Sequence, residues 1–257
     1  IAFGGLLHLT GEPDRPPVRP GVTVADYLTG VFAAVAAVAG LYERDRGDGS
    51  GAGRVVDAPL YGAVLRILEW TLAAYDRLDL VRQREGNRLS VSAPLDNYRA
   101  SDGRYVCVVA GSDANFARLC RAMERPDLLD DPRFATLADR AAHGDEINGL
   151  VAGWVASMDA DEVERRCVAC DVPVGQAYTA ADVFADPHMA ERGDLVTVDD
   201  PVIGPVRQQA PFPRWSGELP SPPSGAPRLG QHNREVWCGL VGLSPDELAE
   251  LEKKGVI

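Results

Sequence analysis

The sequence lacks a disulfide framework, a concentrated basic stripe and a histidine cluster. Its five cysteines, Cys107, Cys120, Cys167, Cys170 and Cys238, are odd in number and irregularly spaced, which excludes the paired scaffold of small secreted domains and fits a reducing, cytoplasmic setting. Only Cys167-Val-Ala-Cys170 has pair spacing. A zinc site wants a second pair or suitably spaced histidines, and His8, His143, His188 and His232 are scattered, so no metal is expected. Formal net charge is -12, from 38 acidic and 26 basic residues. The densest arginine run, at 82, 84 and 88, is diluted by Asp76, Asp79 and Glu85, which argues against a nucleic-acid partner. An initiating Met, a basic leader and a cleavage pattern are all missing. Ile1 to Leu9 reads as the middle of a helix, so the chain is expected to be a piece of a longer protein.

What is present is organised around Pro20 to Leu65. Tyr27 to Tyr42 reads as a helix apolar all round and rich in small residues, with Ala33, Ala34, Ala36, Ala37, Ala39 and Gly40 letting neighbours approach its backbone. This run is shorter than the roughly 20 residues a bilayer span needs. It is headed by Asp26 and closed by Glu43 to Arg46, so a core helix and no membrane contact are expected. Asp26 reads as its N-cap. Glycines at 47, 49, 51 and 53 alternate, but the order helix, glycines, strand is the reverse of a dinucleotide fingerprint. A strand at Arg54 to Asp57 and a helix from Leu60 to about Asp79 follow.

The period changes after a polar linker at Gln83 to Ser92. Asn97 to Ala100 and Arg104 to Val109 read as strands joined through Ser101-Asp102-Gly103, a hairpin signal. Helices are expected at Phe116 to Met123, Asp145 to Ser157 and Ala160 to Ala169, making a small α+β region from about Tyr98 to Arg192. Short extended pieces at 195–198, 204–207 and 212–215 and a proline-rich loop at 218–228 come next. Then follow a helix from Arg234 to Leu240 and a terminal helix, Asp246 to Lys254, launched by the capping box Ser244-Pro-Asp-Glu247.

An ordered series of motifs runs through the chain. It comprises Leu9-Thr-Gly11 with Pro17-Val-Arg-Pro-Gly21, Ala25-Asp26-Tyr27 to Gly30, Gly51-Ala-Gly53-Arg-Val-Val-Asp57, and Tyr98-Arg-Ala-Ser-Asp102-Gly103. Asp131-Pro-Arg-Phe134 with Arg140, Val172-Pro173-Val-Gly175, Asp186-Pro-His188 with Arg192-Gly193, and Leu229-Gly-Gln-His232 complete it. In these the chain resembles the CaiB/BaiF family, the family III CoA-transferases, from end to end. The resemblance implies an α/β fold with a nucleotide-fold large domain and a small α+β domain, in an interlocked dimer. It divides the chain into 1–88, the end of the first half of the large domain, 89–192, the linker and small domain, and 193–257, the return to the large domain.

The same resemblance implies an acyl-CoA:carboxylate CoA-transferase working through an Asp-linked intermediate, with acyl-CoA and a carboxylic acid as substrates and no prosthetic group. That nucleophilic Asp would lie about four residues before Ile1. Asp26 matches a position where the α-methylacyl-CoA racemase branch has an acid/base Asp, but Ser112 stands where that branch carries a Glu. Ser90, Ser92, Ala93 and Pro94 fall where transferases have a mobile, glycine-rich loop over the site, here without glycine after Gly86. Two alternatives stand beside the transferase: a racemase or epimerase, and a non-catalytic fragment or subunit whose partner carries the missing half. The chain alone is expected to be inactive.

Overall fold

The computed structural model describes residues 1–46, 51–214, 216 and 224–257. It divides into two compact units, Ile1–Ala177 and Tyr178–Ile257. The chain opens with a turn and a short helix, α1 (Leu6–Leu9). Gly4 lets this segment lie close against the next helices, because a Cβ there would come within 2.7 Å of the Val64 side chain.

Helix α2 (Val24–Arg46) has 23 residues and starts earlier than the apolar run suggested. The Thr23 carbonyl accepts from both Asp26 N–H and Tyr27 N–H, so Asp26 sits inside the first turn and is not the N-cap. The argument from shortness also fails, because α2 is long and apolar enough to cross a membrane by length and composition. Nor is it a core helix within this chain. Ala25 is its one buried residue, and Tyr27, Val31, Phe32, Val35 and Val38 are exposed.

Residues 54–57 form no strand and are exposed; extended chain becomes a strand only where a partner takes its backbone groups, and none of the described strands pairs with it. The helix expected from Leu60 to Asp79 is two, α3 (Leu60–Arg66), which packs along α2, and α4 (Thr71–Leu78). Between them Glu69 takes a left-handed φ of 53°. The break turns Leu68 inward to 5% exposure, against the bend at Gly5.

The largest core of the first unit surrounds a three-stranded antiparallel sheet of order β1-β2-β3, with β1 (Leu95–Arg99), β2 (Tyr105–Val109) and β3 (Val174–Gln176). The Asp-Gly hairpin forms as read, with Gly103 at φ 87° and Arg99 paired with Tyr105. Strand alternation turns Val106 and Val108 into the core, both at 0% exposure. Helices α5 (Asp113–Ala122), α6 (Leu137–Ala142), α7 (Gly144–Val155) and α8 (Ala160–Ala169), with a 3-10 turn at Pro126–Leu129, complete this part. Phe116, Leu119, Phe134, Ile147, Val151 and Val163 fill the space between them and the sheet. The second unit holds α9 (Ala180–Ala185), α10 (Pro187–Arg192), a hairpin of β4 (Leu195–Asp200) and β5 (Gly204–Gln209), a π-helical segment Arg234–Leu240, and α11 (Pro245–Lys253). The capping box at Ser244 and Glu247 is made. Residues 212–214 are not a strand. Trp215, residues 218–223 of the proline-rich loop and glycines 47 and 49 lie outside the described residues.

Candidate functional site

The linker that leads into the small sheet is held at its end by one buried arginine. Arg140, 1% exposed on α6, donates to the carbonyls of Ala93 (3.2 Å), Phe134 (2.9 Å) and Gly111 (2.8 Å) and to Asp113 (2.6 Å). Its guanidinium also lies 4.5 Å from the centre of the Phe116 ring. A guanidinium cannot shed its proton to escape burial, so it is stable here because carbonyl dipoles and a carboxylate surround it. The Pro94 carbonyl in turn accepts from Ala110 N–H at 3.0 Å, and Gly111 has no side chain because a Cβ would overlap Ser92 Oγ. Ala93 and Pro94 are therefore buried and fixed, whereas Ser90 is exposed and is tied through its N–H to Glu85.

Beside this linker an open cavity of about 470 Å³ lies between residues 85–93 and the N-terminus of α7, with Pro13 on its edge. Arg88 lines it, donating to Asp145 on its wall at 2.7 Å and to Asp96 outside it at 2.6 Å. The Asp96 bond holds the Arg88 guanidinium above its usual pKa, the Asp145 contact adding to it. His143 Nδ1 lies 2.8 Å from Glu146 Oε1, and Glu146 also accepts from Arg133. These contacts, His143 first, hold the Glu146 carboxyl below its ordinary range. Asn148, 2% exposed, forms the floor. Its Oδ1 accepts from Tyr98 Oη (2.6 Å) and Leu95 N–H (3.2 Å), and burial pushes the Tyr98 phenol well above its usual pKa, so it stays a donor.

The structure thus brings Ser90 and Ala93 into one cavity wall, with Ser92 and Pro94 behind it. Asp26 is not with them. It is exposed at the start of α2 and lines neither this cavity nor the groove of about 260 Å³ between α2 and α3. Ser112 is the N-cap of α5, its Oγ accepting from Asn115 N–H at 3.2 Å. Cys167 is buried and Cys170 half-buried. Among the described residues no three His, Cys, Asp or Glu groups gather as a metal site. Asn148 and the anchoring by Arg140 were missed in the sequence. Asn148 had a signal, a polar residue on the stripe 148, 151, 155 that is otherwise apolar and core-facing.

A mixed helix and sheet unit of this kind has solved counterparts. The fold matches a CaiB/BaiF family protein from Brucella suis with a TM-score of 0.75 and 30% identity, over 93% of this chain and 61% of that one. The chain belongs to CoA-transferase family III, whose profile matches residues 1–233. It is 40% identical over 256 residues to the succinyl-CoA–D-citramalate CoA-transferase of Chloroflexus aurantiacus, covering 100% of this chain and 63% of that protein. It is also 34% identical over 257 residues to the alpha subunit of a succinyl-CoA–L-malate CoA-transferase of Chloroflexus aurantiacus, covering 100% of this chain and 59% of that subunit. The chain therefore spans about three fifths of the length of these relatives.

Proposed function

We infer that the full-length protein transfers coenzyme A between an acyl-CoA thioester and a free carboxylic acid. The observation that carries this reading is the end-to-end match to an enzyme of that kind at 40% identity. In the reaction a protein carboxylate attacks the thioester carbonyl and expels CoA thiolate, leaving a mixed anhydride. The thiolate then takes the protein's acyl carbon and releases the first acid, and the second acid reverses the two steps, so no oxidant or metal is required. The residues of this chain serve by positioning. Arg140 fixes the end of the linker through Ala93, and the exposed part around Ser90, held by its N–H bond to Glu85, is the segment assigned to close over substrate.

The domain division follows the same reading, with 1–88 and 193–257 in the large domain and 89–192 the linker and small domain. The working form is a cytoplasmic homodimer, or an assembly with a partner that carries the remaining part, and exposed α2 is the face such an assembly covers. The test is an assay of the full-length protein with succinyl-CoA and a panel of free mono- and dicarboxylic acids. Appearance of a new acyl-CoA with stoichiometric free succinate supports the reading, and failure with every donor and acceptor pair overturns it.

A further inference from the structure

Asn148 uses only half of its amide. The Leu95 N–H can only donate, so the end of the side chain that meets it is the oxygen, and Tyr98 Oη binds that same oxygen. The Nδ2 end therefore points the other way. Among the described residues nothing accepts its two protons, although the residue is 2% exposed and lines the 470 Å³ cavity. That end of the amide reaches the cavity, where water or a ligand's acceptor oxygen can take its protons.

A second feature points at the same space. Helix α7 opens onto the cavity at Gly144 with no side chain capping its first turn, so further N–H dipole is directed there. The charge on the walls narrows the ligand. Glu85, Asp145 and Glu146 line the cavity against Arg88, which is already held between Asp96 and Asp145. A free dicarboxylate would meet net repulsion, whereas an uncharged carbonyl would not.

We propose that this cavity receives an uncharged, amide-bearing chain, the pantetheine arm of the acyl-CoA substrate, with one amide carbonyl accepting from Asn148 Nδ2. The assignment rests on the acyl-CoA reading above. Of the parts of such a thioester, the nucleotide end carries phosphates and a succinyl-type acyl end carries a carboxylate, and the arm between them is neutral and has two amides.

The test is calorimetric titration of the full-length protein and its Asn148→Asp variant with pantetheine and, separately, with adenosine 3′,5′-bisphosphate, the nucleotide end of CoA. Asn148→Asp keeps an oxygen for Leu95 and Tyr98 and replaces the amide donor with a second carboxylate oxygen, which also adds a negative charge. Pantetheine affinity is expected to fall about tenfold or more, as for loss of one buried hydrogen bond, with nucleotide affinity unchanged. In the unmodified protein the Asn148 side-chain NH2 resonances are expected to shift when pantetheine is added, a readout independent of how the variant folds. If the nucleotide binds but pantetheine affinity ignores the substitution and those resonances stay put, the site assignment is overturned. If neither probe binds the unmodified protein, the acyl-CoA reading falls with it.

Discussion

Arg140 and Asp113 form one ion pair of 2.6 Å, yet the two partners differ in exposure, 1% against 72%. Removing Arg140 leaves three buried carbonyls without their donor, so Arg140→Met is expected to cost about 3–5 kcal/mol of stability. Removing Asp113 takes away one exposed, screened carboxylate, and Asp113→Ala is expected to cost below about 1 kcal/mol. Urea denaturation of both variants checks this, and equal losses would show that the carbonyl contacts do not anchor the linker. The thiols give a pH prediction. Burial pushes Cys120 up to about 11 and Cys167 up to about 12, so the fold favours the neutral thiol in each. Their contribution is complete below the ordinary thiol value of 9.0 and is lost as pH rises towards 11 and 12, because the unfolded chain ionises first. At pH 8 iodoacetamide should label Cys107, Cys170 and Cys238, which are half-buried, and spare Cys120 and Cys167. Mass mapping of the native protein reads the pattern.

At the level of elements, two glycine substitutions should move stability in opposite directions. A Cβ at Gly111 would overlap Ser92 Oγ, forcing that side chain to rotate, and would press on Ser92 Cβ at 3.2 Å and Ala93 N at 3.4 Å in the fixed segment. Gly149, exposed in the middle of α7, has nothing within 4 Å of a Cβ. Gly111→Ala is therefore expected to destabilise by about 1–3 kcal/mol, and Gly149→Ala to stabilise by about 0.5–1 kcal/mol. Thermal unfolding of the pair decides it, and a neutral Gly111→Ala would mean that the linker is mobile up to β1. What could be read from the sequence divides along the same line. The hairpin at Asp102-Gly103, helix α8 and the Ser244 capping box are local devices, in which a few neighbouring residues satisfy one another. The break at Glu69 was not legible, because a left-handed residue there serves Leu68 and Gly5, more than 60 positions apart. Residues 54–57 have strand composition but no strand pairs with them here, and composition does not reveal a partner. The cavity followed the same rule. Its linker wall was marked by polar composition and by its place in the resemblance, but its floor at Asn148 depends on Tyr98 and Leu95, about 50 positions away.

On the scale of the whole molecule, α2 is the feature that must be accounted for. Tyr27, Val31, Val35, Val38 and Tyr42 are each more than 60% exposed, and Phe3, Tyr61 and Val55 add to the apolar surface. Contiguous apolar surface on this scale drives association. Light scattering of the full-length protein is expected to give a dimer or larger assembly, and the 257-residue chain by itself is expected to self-associate and bind hydrophobic dyes. A monodisperse monomer without dye binding would count against α2 as a covered face. Arg140 also bears on how this molecule can drift among its relatives. Three of its four acceptors are main-chain carbonyls, which every amino acid possesses, so replacing Ala93 or Phe134 leaves those hydrogen bonds available. Position 140 is thereby constrained without a partner position that must change with it. Methods that infer contacts from correlated substitutions should find little at the point where the linker is held.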